Sequence, residues 1–353
     1  LIPLRFGTKQ SLDGNISLTQ LVFDGTYFVG LKSVQIYVDI EEGIRNKTSV
    51  ELKKSTIESY GNVLLAKESV NIINKNIKIV ENTLNEVIKI YENGLTEEEN
   101  VEQLQITLSG LQSNLKNSLL QEKLASQLLN LILGLEINQE INLTDNFESL
   151  IDKNINLSLI SENSNIKKSA DYIIKNNEKT SKELLIFYEK TKLLPTINAF
   201  INTGYSGYSD SFNFTDKNQK WYGSTIFGLK MDIPILSSGE QLSKITRAKI
   251  ELEKSNLQLS ELEKKLSIEI NLAKGNYQFA IEDYLNKKRN LELAERIERK
   301  NQVKFSEGIA SSFDLREAQT QLYKSQQSYL MSMLSIINSK AKLQSLTTEN
   351  NQN

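Results

Sequence analysis

The chain has 353 residues, enough for one large or two ordinary domains, with 24% charged residues and a net charge of −2. That balance provides no global basic field for nucleic acid, and the absence of cysteine and histidine removes thiol chemistry, disulfides, the usual zinc sites and every histidine-based triad. No apolar run approaches the ~18 residues of a membrane helix.

Leu1 is not an initiator methionine, so a processed or truncated start is expected. Residues 1–14 read as loop, with Gly7 and Asp13-Gly14 as turn signals. Residues 16–23 alternate as a strand, which Asp24-Gly25 ends. Residues 26–91 are helical in pattern, roughly 100 Å of helix at ~1.5 Å per residue. Val63, Ala66, Val70, Ile73, Ile77, Val80, Leu84, Val87 and Tyr91 mark a seam with alternating spacings of three and four, a coiled-coil repeat. Gly94 sits where a left-handed cap stops a helix, and Thr96-x-x-Glu99 reads as a capping box for a returning helix over 98–133. The acidic run Glu97-Glu98-Glu99 reads as a first-turn partner of the helix dipole.

Residues 135–162 are mixed and polar, a connector with short helices. A helix is predicted over 163–193, stacked end to end with the helix at 98–133, and ended by Leu194-Pro195. Strands are expected at 196–208 and 221–233, joined by a polar loop. In the second strand Phe227, Leu229, Met231 and Ile233 oppose Gly228, Lys230 and Asp232. Such alternation suits a membrane β-barrel or a hairpin packed on a soluble core. A second long helix is predicted over 241–306, with a seam from Leu266 to Ala294 that Lys287 interrupts. Gly308 ends it, Ser311-x-x-Asp314 starts another helix near 313, and a polar tail follows 347.

The two halves repeat. Gly308 lies 214 positions after Gly94, and the same offset relates Gly25 to Gly239, Tyr91 to Phe305 and Leu108 to Leu322. The organisation expected is a first repeat at 1–135, a connector at 136–162, a second repeat at 163–347 containing a β-hairpin at 196–233, and a disordered tail at 348–353. About fifty residues at the start of the second repeat, a helix and a strand, have no counterpart in the first. Three strands are therefore expected.

Leu194-Pro-Thr-Ile197, Gln20-Leu-Val-Phe-Asp-Gly25, Ile233-Pro-Ile-Leu-Ser-Ser-Gly239 and the two glycine turns resemble, in order, spacing and duplication, the TolC outer-membrane efflux family. The resemblance covers nearly the whole chain. It implies a mainly α fold with a small β part: a long α-helical barrel below a membrane β-barrel, built from two repeats as a homotrimer. It implies an outer-membrane duct whose helical part lies in the periplasm, serving tripartite efflux or type I secretion. Its partners would be outer-membrane lipid, a periplasmic adaptor and an inner-membrane pump of RND, ABC or MFS type. No catalytic, cofactor or metal residue is implied, and no nucleic acid.

On this resemblance Gly94, Leu95 and Thr96, with Gly308, Ile309, Ala310 and Ser311, are the adaptor-contacting tips; the same glycines are also plain helix caps. Asp314 and Glu317 match the family's acidic entrance positions, where carboxylates ring a constriction and favour cations; Asp314 as a cap alone is the alternative. Tyr205, Tyr208, Trp221 and Tyr222 are expected at the membrane interface. One rival is a soluble coiled-coil scaffold with a β-hairpin insert. The other, an enzyme on a carboxylate-bridged metal site, lacks the usual histidine ligands.

Overall fold

In this computed structural model the described residues are 7–161, 165–236 and 238–347. The tail at 348–353 lies outside them. The elements run β1 (Gln10–Phe23), α1 (Gly25–Glu92), α2 (Glu98–Leu133), α3 (Phe147–Asn154), α4 (Ser158–Ser161), α5 (Ala170–Thr191), β2 (Thr196–Ser209), β3 (Trp221–Asp232), α6 (Glu240–Ser306) and α7 (Ser312–Thr347). They form two compact units, Leu1–Glu42 with Ile174–Ser260 and Gly43–Ile173 with Glu261–Asn353.

The first unit is built on an antiparallel sheet of three strands, the number read from the sequence, in the order β1-β2-β3. β1 begins earlier than expected. Asp13-Gly14, a turn signal locally, lies inside the strand because Asp13 pairs with Ser206 and Gly14 with Tyr205. Long-range pairing outweighs local turn preference here. Gly204 is required where β1 crosses it: a Cβ there would lie 2.6 Å from the Gly14 carbonyl oxygen. Gly25 is required for a different reason, since its Cβ would meet Thr191 at 2.9 Å and Leu194 at 3.0 Å. Asp24 starts α1 by accepting hydrogen bonds from the Thr26 N–H (2.8 Å) and hydroxyl (2.7 Å). Gly239, its counterpart in the repeat, instead has φ +83 and opens a turn no side chain favours.

The helix expected over 163–193 is shorter. Asn165 accepts a hydrogen bond from the Lys167 N–H (3.1 Å) and caps a 3₁₀ turn, and Ser169 is extended (ψ 136), so α5 starts only at Ala170. Asn and Ser side chains competing with the helical backbone account for the delay.

In the second unit the predicted seams are the core. Val63, Val70, Ile77, Val80, Leu84 and Val87 of α1 are buried, as are Leu266, Ile270, Ala273, Tyr277, Ala280, Tyr284 and Ala294 of α6. Ala273, Tyr277, Ala280 and Tyr284 pack with α7 residues including Tyr329, Met333, Ile336, Ile337 and Leu343, whereas Ile77, Val80, Leu84 and Val87 pack with Val101, Leu104 and Leu111 of α2. Tyr284 and Tyr329 stack with centroids 5.6 Å apart. The connector is held by phenols. Tyr277 Oη donates to the Asn154 carbonyl (2.6 Å) and accepts from the Asn156 N–H (2.9 Å), and Tyr60 Oη donates to Asp145 (2.7 Å). These bonds anchor Phe147 and Ile151 of α3 in the α6–α7 core.

The second seam is less apolar than the first. Lys287 is half-buried beside Asp283 (3.7 Å). Glu298, one repeat on from Leu84, is 9% exposed. Burial lifts its carboxyl above the ordinary 4.5, and the charge of Arg299 opposes the rise. A carboxyl raised in the folded state contributes most to stability below its unfolded value, and that contribution is lost as pH climbs through the folded value. Glu298→Leu is therefore expected to raise stability at neutral pH by on the order of 1 kcal/mol and to flatten the fall in melting temperature between mildly acidic and neutral pH. Thermal melts followed by circular dichroism check both; a variant less stable at neutral pH would contradict the cost assigned to the buried carboxylate.

Candidate functional site

Residues paired across an antiparallel ladder project to the same face, so the register sorts every strand residue. One face carries Ile16 and Leu18 of β1, Ile197, Ala199 and Ile201 of β2, and Phe227, Leu229 and Met231 of β3. The other carries Asp13, Asn15, Ser17 and Thr19, then Asn198, Asn202 and Ser206, then Ser224, Lys230 and Asp232. Leu21, Phe200 and Ile226 interrupt this polar face, as Gln20, Thr203 and Thr225 interrupt the apolar one, and a Cβ on Gly228 would lie 3.2 Å from the Phe200 ring. Among the described residues nothing covers Ile16, Phe227 and Leu229 of the apolar face, which are 73%, 82% and 73% exposed. A hairpin packed on a soluble core would bury these side chains.

Both outer strands are long and open. Among the described residues β1 pairs only with β2, as does β3, so each presents an open row of backbone N–H and C=O groups. Long unprotected edges invite further strands. Each strand of 12 or 14 residues exceeds the ~9–11 needed to cross a bilayer. Among the described residues no helix is long and apolar enough to cross a membrane.

The four predicted interface aromatics separate by face. Tyr205 and Trp221 stand on the apolar face beside Gly223 and Gly207, where an added Cβ would lie 3.0 Å from the Tyr205 ring and 3.2 Å from the Trp221 ring. Tyr208 and Tyr222 stand on the polar face, 6.1 Å apart between centroids, so the four divide two and two between the faces. Strand parity decides this: positions three apart on β2, or adjacent on β3, point to opposite faces.

The helical turns lie in the second unit. Gly94 (φ +72) donates to the Tyr91 carbonyl (2.8 Å) and Leu95 to the Ile90 carbonyl (3.1 Å). Gly308 (φ +71) donates to Phe305 (3.0 Å) and Ile309 to Lys304 (2.8 Å). Both are Schellman caps. In that motif the apolar residue after the glycine often packs back on the helix, yet Leu95 is 78% exposed and Ile309 76%. Thr96 and Ala310 are half-buried and Ser311 exposed. The two hairpin ends meet in one cluster, where Phe305 and Tyr323 pack against Ile77, Val80, Leu84, Val101 and Leu104.

The helix starts differ. Ser311 and Asp314 form a reciprocal capping box: Asp314 accepts from the Ser311 N–H (3.0 Å) and hydroxyl (2.7 Å), and its own N–H donates to Ser311 Oγ (3.2 Å). These bonds hold the Asp314 carboxyl below its ordinary range. The box expected at Thr96-x-x-Glu99 does not form. α2 starts one residue later, its cap Glu97 makes no side-chain bond, and Asn100 Nδ2 donates to Thr96 Oγ1 (2.8 Å). Asn100 occupies the position of Asp314 and presents a donor where the box needs an acceptor. Asp314 and Glu317 are both exposed, one helical turn apart.

Residues 186–349 match the family model described as outer membrane efflux protein. No curated protein matches the chain. Among solved structures, a crystal structure of CusC, solved to follow the conformational changes of folding and transmembrane channel formation, superposes with a TM-score of 0.73 at 15% identity, over 96% of this chain and 83% of that one. The CmeC outer membrane channel of Campylobacter jejuni gives 0.72 at 14%, over 97% and 79%. The open-state MtrE outer membrane channel of Neisseria gonorrhoeae gives 0.72 at 11%, over 96% and 80%. The fold is that of the TolC-like outer-membrane channels, and the resemblance read from the sequence is borne out. It was carried by the turns and the repeat; the two-faced sheet with open edges emerges only from the register.

Asp314→Ala is expected to loosen the first turn of α7 and to speed amide exchange at residues 312–314, with no change at the α2 start. Hydrogen–deuterium exchange checks this. The bonds are carboxylate-dependent, so the same loosening is expected in the unaltered chain only as pH falls through the depressed Asp314 value, below the ordinary 3.8.

Proposed function

We propose that this chain is the outer-membrane exit duct of a tripartite efflux or type I secretion system, acting as a homotrimer. The sheet carries the reading. Its uncovered apolar face suits lipid, its polar face suits a wet lumen, and its open edges suit pairing with the sheets of two further copies. Tyr205 and Trp221, on the apolar face, would sit at the headgroup level. The helical part would extend into the periplasm. There the exposed Leu95 and Ile309 would meet a periplasmic adaptor, which couples the duct to an inner-membrane pump that supplies the energy. A soluble scaffold gives no reason for a lipid-like face repeated over three strands.

Helix faces left bare in each unit fit the same assembly. In the first unit Leu31, Val34 and Val38 of α1 are exposed, with Ile250 and Leu257 of α6. In the second, Leu120, Leu124, Leu128 and Leu131 of α2 are exposed, with Leu272 and Phe279 of α6. Contiguous apolar surface of this kind marks interaction sites. Around a threefold axis the exposed Asp314 and Glu317 would form carboxylate rings whose fields add, favouring cations.

Phe227→Arg, on the proposed lipid face, is expected to cost about 2–4 kcal/mol and to block membrane insertion. Asn202→Arg, on the opposite face, is expected to insert normally. Heat-resistant trimers on gels and membrane fractionation check this; equal tolerance of both would remove the lipid-facing assignment. Leu95→Asp and Ile309→Asp are expected to abolish efflux while trimers still assemble, so unchanged efflux would refute tip docking. In planar bilayers Asp314→Asn is expected to weaken cation preference; an unaltered preference leaves Asp314 as a cap alone.

A further inference from the structure

The polar face of the sheet ends in a solvent-open depression of about 540 Å³, beside the loop that joins β2 to β3. Its walls include Tyr208 and Tyr222, Asn213, Asn218, Gln219 and Lys220. We propose that this depression binds a hexose ring, as a free saccharide or as part of a lipid-linked glycan.

The cradle is preformed. The loop closes on itself through Asp216 N–H to the Asn213 carbonyl (3.0 Å) and Gln219 N–H to the Asp216 carbonyl (3.1 Å). Buried Phe214 pins it, with its ring 5.6 Å from Phe212 and 6.3 Å from Trp221. Gln219 Nε2 donates to the carbonyls of Tyr208 (3.3 Å) and Lys220 (3.0 Å), which fixes the amide and leaves Oε1 as its acceptor. Asn218, on the exposed loop, adds an amide that both donates and accepts.

The chemistry of the walls selects the ligand. A pyranose has C–H faces that lie on aromatic rings and an edge of hydroxyls that both donate and accept. Two tyrosine rings supply the first need, and three amides, which also donate and accept, supply the second. None of the lining side chains is acidic, which disfavours a metal ion, and the single ammonium of Lys220 makes a poor anion site. The volume falls within the ~300–1,000 Å³ typical of small-ligand sites. The cradle lies within one unit of one chain, so the inference stands apart from the duct reading.

The test uses the purified full-length protein in a zwitterionic detergent, because sugar-headed detergents would compete. Saturation-transfer NMR with methyl glucoside is expected to show transfer to the ring C–H protons. Tyr222→Ala is expected to weaken binding at least about tenfold. Asn218→Ala, confined to the exposed loop, is expected to weaken it without touching the sheet. Absence of transfer, equal binding by both variants, or displacement of the sugar by inorganic phosphate would each overturn the proposal. Maltotriose and an oligosaccharide released from lipopolysaccharide form two further arms; the tighter ligand identifies the source. Bilayer conductance of the same preparations separates the two readings. Sugar binding without channels would sink the duct and leave this site, and channels without sugar binding would do the reverse.

Discussion

A β-sheet must give each backbone N–H and C=O a partner, and the sheet of this protein cannot do so alone. β1 and β3 each spend one edge on β2 and leave the other free. Its apolar face has the same difficulty in another form. Phe227, Leu229, Ile16 and Leu18 all stand exposed. At roughly 25 cal/mol per Å² of apolar surface, several large side chains left bare over three strands is a cost few monomeric proteins carry. Lipid on the apolar face and further strands at the edges relieve both at once, which is why the proposed trimer follows from the sheet more directly than from the helices.

The helices solve a different problem. They are long, and much of their surface is polar, so packing relies on a narrow seam. In α1 that seam is entirely apolar from Val63 to Val87. In α6 its upper part uses alanine and tyrosine in alternation. Alanine lets the neighbouring helix approach, and the tyrosines fill the space between, with Tyr277 also tying down the connector through its hydroxyl. Past Tyr284 the second seam takes in Lys287 and Glu298 where the first has Ile73 and Leu84. The repeat has kept its geometry while its two halves have diverged in polarity, and the weaker burial falls near the Gly308 turn.

The long helices were legible because a seam repeated over many turns leaves little room for another reading, and because Gly94 and Gly308 carry the conformation their position demands. What was misread depended on partners distant in sequence or on atomic detail. Asp13-Gly14 has the chemistry of a turn, and only the opposing strand keeps it extended. The Thr96 box failed because Asn100 turned its amide toward Thr96, a choice of hydrogen-bond donor that spacing does not reveal. Asn165 and Ser169 delayed α5 by local bonding. The four aromatics could have been sorted by parity alone, since Tyr205 and Tyr208 are three apart; their shared chemistry hid the difference. Glu298 could have been found by extending the seam one step beyond Ala294.

The exposure of Leu95 and Ile309 bears on what the turns are for. A Schellman cap needs only the glycine and its two hydrogen bonds, and both turns have them. The residue that follows is free to be polar, or to fold its apolar side chain onto the last helical turn. Here it is a branched aliphatic in both repeats, and in both it points away from its own helix. Stability of the turn does not account for that choice, since a serine in the same place would leave the cap intact and remove an unfavourable contact with water. A surface that receives the side chain does account for it. The surrounding charge then distinguishes the two turns by degree: Glu97, Glu98 and Glu99 follow the first, while around the second Lys304 and Arg316 offset Glu307, Asp314 and Glu317. A partner that takes both would meet the same apolar knob twice, once beside an acidic run and once beside mixed charge, so one hairpin of that partner could not fit both turns equally well.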